Sequence, residues 1–360
     1  VSNTSDPFSM LDDILLTEEG TALNEELSME EDFFGTEDSV AKKEVIILPE
    51  GEIDPRLKLL SHSSRTNLHK CPRKYQLYRL SSTTVSMTEE KEIEQGVTFA
   101  YGSAVGVGLQ STMEGKTEDQ IIMDTFLEWD VDLLDNNPRQ KKSFWEALFA
   151  VQKFMKLRAE EDFLDEYELV YYDGKPAIEL SFQIHLPNGY RYRGYVDGVL
   201  RHKETGEILV LEAKTSSGTA NPTMYKNSGQ ALGYSVVLDI LFPELSAYKV
   251  LYLVYETRTH EYVQLYFEKS LLQRALWLQE LLIDTRHIEL YEEFETYPMH
   301  GENCLDFFRD CEYLGLCTMQ TENMTKPLTQ EILDKIADDT YMFEVDFFDL
   351  VQSQIDKGEL

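Results

Sequence analysis

At 360 residues, with 42% hydrophobic and 11% aromatic side chains, the chain can bury one large core or two small ones. No apolar run approaches the roughly 20 residues that span a bilayer, and the acidic, polar start carries no secretory signal, so a cytoplasmic chain without a membrane partner is expected. The net charge of −33 argues against a broad phosphate-binding surface, which would rest on Lys and Arg.

That charge is unevenly spread. Residues 1–50 hold 14 Asp and Glu against two Lys and Arg, and residues 321–360 hold ten against three. The first stretch mixes acids with Phe8, Met10, Leu11, Phe33 and Phe34 without a sustained period, and reads as a disordered arm. Its two short amphipathic peptides, residues 9–16 and 29–35, would either solubilise the chain or dock a replication or recombination protein.

Residues 51–165 read as a helical part. From Ser61, serines precede Leu68, Tyr75, Leu77 and Tyr78, which predicts a capped helix interrupted at Cys71-Pro72. Arg65, Lys70, Arg73, Lys74 and Arg79 make this the densest basic cluster of the chain. Residues 96–115 combine a helical period with Gly102, Gly106 and Gly108, which would let another element come close. Helices are expected over 117–129 and 138–161, with Trp145, Phe149 and Phe154 as core and Arg139, Lys141 and Lys142 at the second start.

Residues 166–320 carry the chemistry. Residues 167–172 and 177–186 are strand-like, Asn188-Gly189 is a hairpin turn, and Arg191 and Arg193 alternate with Tyr190 and Tyr192. In the next strand Asp197, flanked by Gly194 and Gly198, interrupts an apolar run; Glu179 upstream is either a supporting acid or an exposed strand residue. After a turn over His202–Gly206, a buried-type run ends in Glu212, Ala213 and Lys214, and period-two alternation puts Glu212 and Lys214 on one face. Two carboxylates converging beside a lysine are costly to bury unless a cation joins them, and oxygen ligands suit Mg²⁺ or Mn²⁺. The competing reading is an ordinary charged pair at strand ends. A following helix places Gln230 and Tyr234, i and i+4, on one face. Strands over 248–256 and 262–269 and a helix from Ser270 through Arg286 complete this part.

Three of the four cysteines, Cys304, Cys311 and Cys317, fall within 14 residues, and the fourth is Cys71. Clustered thiols in a cytosolic chain point to a metal site joining remote segments, and four thiolates fit a [4Fe-4S] cluster or a structural Zn²⁺. Beyond them the acidic tail of residues 321–360 holds a short amphipathic helix and a segment, 343–350, read as a docking peptide or a loosely packed end.

The D-x(14)-E-A-K spacing from Asp197 to Lys214, followed by Q-x-x-x-Y from Gln230 to Tyr234, resembles the RecB-like branch of the PD-(D/E)XK nuclease superfamily. The resemblance implies an α/β fold, a restriction-endonuclease-like mixed sheet of about five strands flanked by helices with a helical N-terminal part. It implies that Asp197, Glu212 and the carbonyl of Ala213 hold the metal, that Lys214 positions the attacking water, and that Gln230 and Tyr234 face the active site and DNA. The serines before Cys71-Pro72 resemble the opening helix of iron-sulphur members such as AddB-type nucleases and CRISPR adaptation exonucleases. Those commonly end in C-x-x-C-x(5)-C, whereas this chain has C-x(6)-C-x(5)-C. The family's G-x-x-x-H, with its histidine a metal ligand, is replaced here by a glycine at position 106.

The expected function is therefore a Mg²⁺- or Mn²⁺-dependent DNA phosphodiesterase. The resemblance implies exonuclease action on single-stranded or end-opened DNA during recombination, repair or phage replication, in a bacterial or phage-infected cytoplasm. The alternatives are a catalytically weak DNA-end-binding module with a structural metal clamp, and an acidic scaffold whose tails recruit partners.

Overall fold

The structure, a computed structural model, describes residues 45–358 apart from 82, 87–88, 93–96, 130–141, 307–308, 322–323 and 338–339. The N-terminal arm with its two peptides, and the basic residues Arg139 and Lys141, lie outside the described residues.

Asn188 and Gly189 both take positive φ, 59° and 74°, the left-handed region that a tight hairpin needs and that glycine tolerates without cost. Ile178–His185 (β1) and Arg191–His202 (β2) accordingly pair antiparallel. Gly206, at φ 74°, serves the next turn and brings Ile208–Ser216 (β3) antiparallel to β2. A helical crossover returns the chain to Tyr248–Glu256 (β4), parallel to β3, and Glu261–Lys269 (β5) closes that edge antiparallel to β4. At the other edge Phe343–Asp346 (β6) pairs parallel with β1. The strand order is β5-β4-β3-β2-β1-β6, with the short segments Leu59–Leu60 and Tyr167–Leu169 also paired to β2. The mixed sheet is thus larger than the five strands expected.

The central strands bury both faces, so helices cover both. His62–Lys70 (α1) and Pro72–Leu80 (α2) lie on one face, and Val97–Met113 (α3), Glu118–Glu128 (α4) and Phe144–Glu160 (α5) on the opposite one. Pro222–Lys226 (α6) and Gly229–Val237 (α7) fill the crossover; Leu271–Glu293 (α8), Gln330–Ile336 (α9) and Phe347–Asp356 (α10) follow. Leu68, Tyr75, Tyr234, Trp277 and Leu350 pack with Val210 and Val250 on one side of the sheet. Ala104, Val151 and Phe154 pack with Leu209, Leu211 and Leu253 on the other. Residues 46–360 form one compact unit, and no helix among the described residues is long and apolar enough to cross a membrane.

Several expectations need correction. Residues 343–350 are neither docking peptide nor loose end: Phe343, Val345, Phe347 and Leu350 are buried, because strand alternation and a helical stripe place them inward despite intervening acids. Of the three aromatics expected in the core only Phe154 is there: Trp145 is 73% exposed and Phe149 43%, while Phe144 of the same helix is buried. The helix α8 runs seven residues past Arg286, to Glu293. The basic cluster is largely structural: Arg65 is buried against Asp284, and Arg73 donates to the carbonyl of Met319 at 2.8 Å.

Candidate active site

β2 and β3 pair only from Arg201↔Ile208 to Gly198↔Leu211, whereas β3 runs on to Ser216 against β4. The two strands therefore part at Asp197, and the site lies in that fork. Asp197 bridges it: its Oδ2 accepts the Ala213 N–H at 2.8 Å, taking up a donor that the ladder has released. On β3, Ile208 and Val210 point into the core beside α7, and the same alternation carries Glu212 and Lys214 to that face.

Lys214 Nζ is in ion-pair contact with Glu212 Oε1 and donates to Gln230 Oε1 at 3.0 Å. Gln230 Nε2 in turn donates to the Tyr234 hydroxyl at 2.6 Å. The i, i+4 pair on α7 thus forms a chain ending on the lysine. What seats α7 is Gly233, where a Cβ would come within 2.8 Å of the Trp277 ring; only a glycine lets the helix press so close on α8.

The electrostatics of the fork are unbalanced. Glu212 is fully buried, and its carboxylate oxygens lack well-aligned hydrogen bonds. Burial, and then the Asp197 charge, push its pKa up to about 8. Asp197 is likewise raised by burial, with Lys214 and the Ala213 N–H opposing. Burial alone would lower Lys214, but the attraction of Glu212 and Asp197 outweighs it and raises the pKa.

A third acid joins them. Glu179 lies opposite Asp197 in the β1–β2 register, between the pairs Ile178↔Gly198 and Leu180↔Val196, and its φ is 47°. A non-glycine residue in the left-handed region inside a strand is a strained conformation of the kind that clusters at functional sites. Burial and the neighbouring Asp197 push its pKa to about 7, while Gln110 of α3 donates to it. The sequence left Glu179 between two readings; its place three residues before the buried Phe182, facing away from the core, was the available signal.

His62 was missed. Ser61 caps α1 through a capping box with Ser64, which fixes the helix start so that His62 faces the fork. Burial, then the charges of Lys214, Arg65 and His69, hold its pKa down at about 4, so the imidazole is neutral. Arg193, expected on the DNA side, lines the same opening, and its Nε donates to Gln183 at 2.6 Å; Arg191 donates to the carbonyl of Ile336 at 3.2 Å.

At Gly106, where a histidine was expected by resemblance, a Cβ would meet nothing within 4 Å, and the same holds at Gly102. Close packing is instead the role of Gly108, where a Cβ would lie 2.3 Å from Val151.

The four cysteines gather at a second place. Cys71 sits between α1 and α2, the N–H of Cys311 donates to the carbonyl of Cys304 at 2.8 Å, and the Cys317 thiol is coupled electrostatically to Cys311, Cys71 and Cys304. Burial raises both the Cys311 and Cys317 thiols. Among the described residues, however, no three His, Cys, Asp or Glu side chains are drawn into a ready-made metal cage, at the cysteines or at the acids.

The model of the PD-(D/E)XK nuclease superfamily matches residues 59–318, from the first short strand to the last cysteine. No curated protein matches the chain. Among solved structures, one from Eubacterium rectale named "Putative exonuclease" is 13% identical, with 80% of this chain and 98% of that one covered and a TM-score of 0.42. Another, named SSO0001, is 11% identical, with 59% and 84% covered and a TM-score of 0.25. The family model spans well over half of the chain and contains the whole fork, and the chain belongs to the PD-(D/E)XK nuclease superfamily.

Proposed function

We propose that the chain is a Mg²⁺- or Mn²⁺-dependent deoxyribonuclease that acts as an exonuclease on single-stranded or end-opened DNA, in recombination, repair or phage replication. One observation carries the catalytic part: Glu212 is fully buried beside Asp197, and against these two carboxylates stands the single ammonium of Lys214, on Glu212 Oε1. Such carboxylates are costly unless protonated or joined by a cation, and hard oxygen donors fit Mg²⁺ or Mn²⁺. Asp197, Glu212 and the Ala213 carbonyl would hold the ion, with Glu179 supporting from the α3 side.

When bound, the cation supplies Lewis acidity toward a phosphate oxygen and lowers the pKa of water. The ammonium of Lys214, held by Glu212 and Gln230, orients the attacking water and stabilises charge developing on the phosphate. Gln230 and Tyr234 hold that lysine in one rotamer, so little reorganisation is needed at the moment of attack. His62, neutral, offers a hydrogen bond to a backbone oxygen without adding charge.

For the second site we propose a [4Fe-4S] cluster on Cys71, Cys304, Cys311 and Cys317, with structural Zn²⁺ as the alternative. Support comes from the mutual coupling of the thiols and from Arg73, whose guanidinium is coupled to Cys317 and Cys71 and would offset the negative charge of a thiolate cluster. The acidic arm of residues 1–50 would serve a replication or recombination partner.

The test is incubation of anaerobically purified protein with end-labelled single- and double-stranded DNA in Mg²⁺, Mn²⁺ or EDTA. Metal-dependent shortening from ends is expected. Cleavage that persists in EDTA, or no cleavage with either metal, refutes the reading.

A further inference from the structure

We infer that α3 and the sheet enclose a slot for an unpaired nucleobase, kept open by Gly102 and Gly106, and that this slot makes single-stranded ends the preferred ligand. The inference deepens the nuclease reading and relies on it only for the ligand being nucleic acid.

A cavity of about 850 Å³ opens directly beside Asp197 and Glu179 and runs under α3, within the ~300–1,000 Å³ of cavities that take small organic ligands. Gly102, Gly106 and Gln110 stand at i, i+4 and i+8 along its helical wall. Glycine is the poorest helix former after proline, and neither glycine is needed for packing, since a Cβ at each would enter empty space. What the missing side chains do accomplish is to leave a flat floor. Ile178, Leu200 and Leu211 make the sheet side apolar, and Phe99, 66% exposed, stands at the rim.

The charges assign the occupant. Apart from Lys214 at its mouth and the acids Asp197 and Glu179 assigned to the cation, the one charged side chain among the described residues lining the cavity is Glu128, so nothing in its depth would hold a phosphate. A second opening of about 590 Å³, which shares Asp197 and Lys214 with the first, carries His62, Arg193 and Gln230 and the start of α1. A polyanionic backbone fits that second opening, and an uncharged flat ring attached to it fits the first. A base can enter only when unstacked and unpaired, which a duplex resists and a single strand does not.

The test is binding by the full chain in Ca²⁺, a hard cation offered in place of the catalytic one. Fluorescence anisotropy compares an oligothymidylate with an abasic strand of the same length and charge. The wild type is expected to favour the oligothymidylate by about tenfold, or about 1.4 kcal/mol, the order of one base–aromatic stack. Gly106→Leu, which fills the slot while improving helix propensity, should reduce the preference to within about twofold, and Gly102→Leu should do the same. Equal binding of both strands by the wild type, no binding of either, or a folded Gly106→Leu that keeps the preference overturns the slot. The two readings fail separately. Metal-dependent cleavage with no base preference leaves the nuclease and removes the slot; a base preference without cleavage does the reverse.

Discussion

Glu212 makes a quantitative test possible without any substrate. Its pKa in the folded chain is raised from 4.5 to about 8, chiefly by burial. Between those values the native state holds a proton that the unfolded chain has released, so stability must fall as pH rises through this window. From pH 5 to pH 8 the loss comes to about 4 kcal/mol at most, taking ~1.4 kcal/mol per unit. In a unit of this size that is up to about 8 °C in Tm, at ~2 °C per kcal/mol. Glu212→Gln keeps the shape and removes the titration. In EDTA the variant should therefore melt close to the wild type at pH 5 and several degrees above it at pH 8. Glu179 and His62 are present in both proteins, so the difference reads Glu212 together with the pull of its charged neighbours. Mg²⁺ or Mn²⁺ should restore the wild type at pH 8 and leave the variant little changed. Parallel melting curves for the two proteins across pH 5–8 in EDTA would refute the buried carboxylate with its raised pKa on which the metal argument rests.

Asp197→Ala or Lys214→Ala should lower cleavage of end-labelled DNA by at least ~10²-fold while changing DNA affinity by only a few-fold, since transition-state stabilisation is concentrated in few residues and phosphate contact is not. Cys71→Ser should bleach any visible chromophore of anaerobically purified protein and lower Tm, because a metal bound there ties α2 to residues 304–317; an unchanged spectrum and melt sink the cluster. Lys269 is fully buried with its pKa lowered to about 8 by burial, and Nζ donates to the carbonyl of Lys226 at 2.6 Å. At pH 7 that penalty is fully present, and it is relieved as pH rises from about 8 toward 10.5, so Lys269→Met should stabilise by about 2 kcal/mol in urea melts at pH 7 and by less at pH 10. Gly106→Ala should stabilise α3 by up to ~1 kcal/mol, whereas Gly108→Ala, forced against Val151, should destabilise by about 1–3 kcal/mol; the same urea melts separate them.

The fork was legible in the sequence because its cues are local. Two turns with glycine at positive φ set the antiparallel order, strand alternation set the face of Glu212 and Lys214, and helical spacing joined Gln230 to Tyr234. What failed to show is non-local. The placing of Glu179 beside Asp197 and Gln110 depends on one strained φ, and the approach of His62 to Lys214 depends on how α1 docks across the sheet. The acids of residues 343–349 concealed an edge strand whose partner, β1, lies some 160 positions upstream. Charge counted along the chain likewise said little about the fork, where three acids and one lysine meet in a space that composition cannot describe.

β6 and α10 carry a consequence for how the chain is made. Asp239, buried after α7, binds Arg274 of α8 at 2.6 Å, Tyr248 of β4 at 2.9 Å, Lys357 at 2.8 Å, and Gln354 of α10. Until residues 343–357 leave the ribosome, β1 presents a bare edge and Asp239 lacks two of its partners, so the nascent unit waits in an aggregation-prone state. Synthesis thus couples completion of the fork's sheet to residues 343–357, and a ribosome stalled before residue 343 would leave a chain that holds Asp197, Glu212 and Lys214 but lacks the edge strand beside β1.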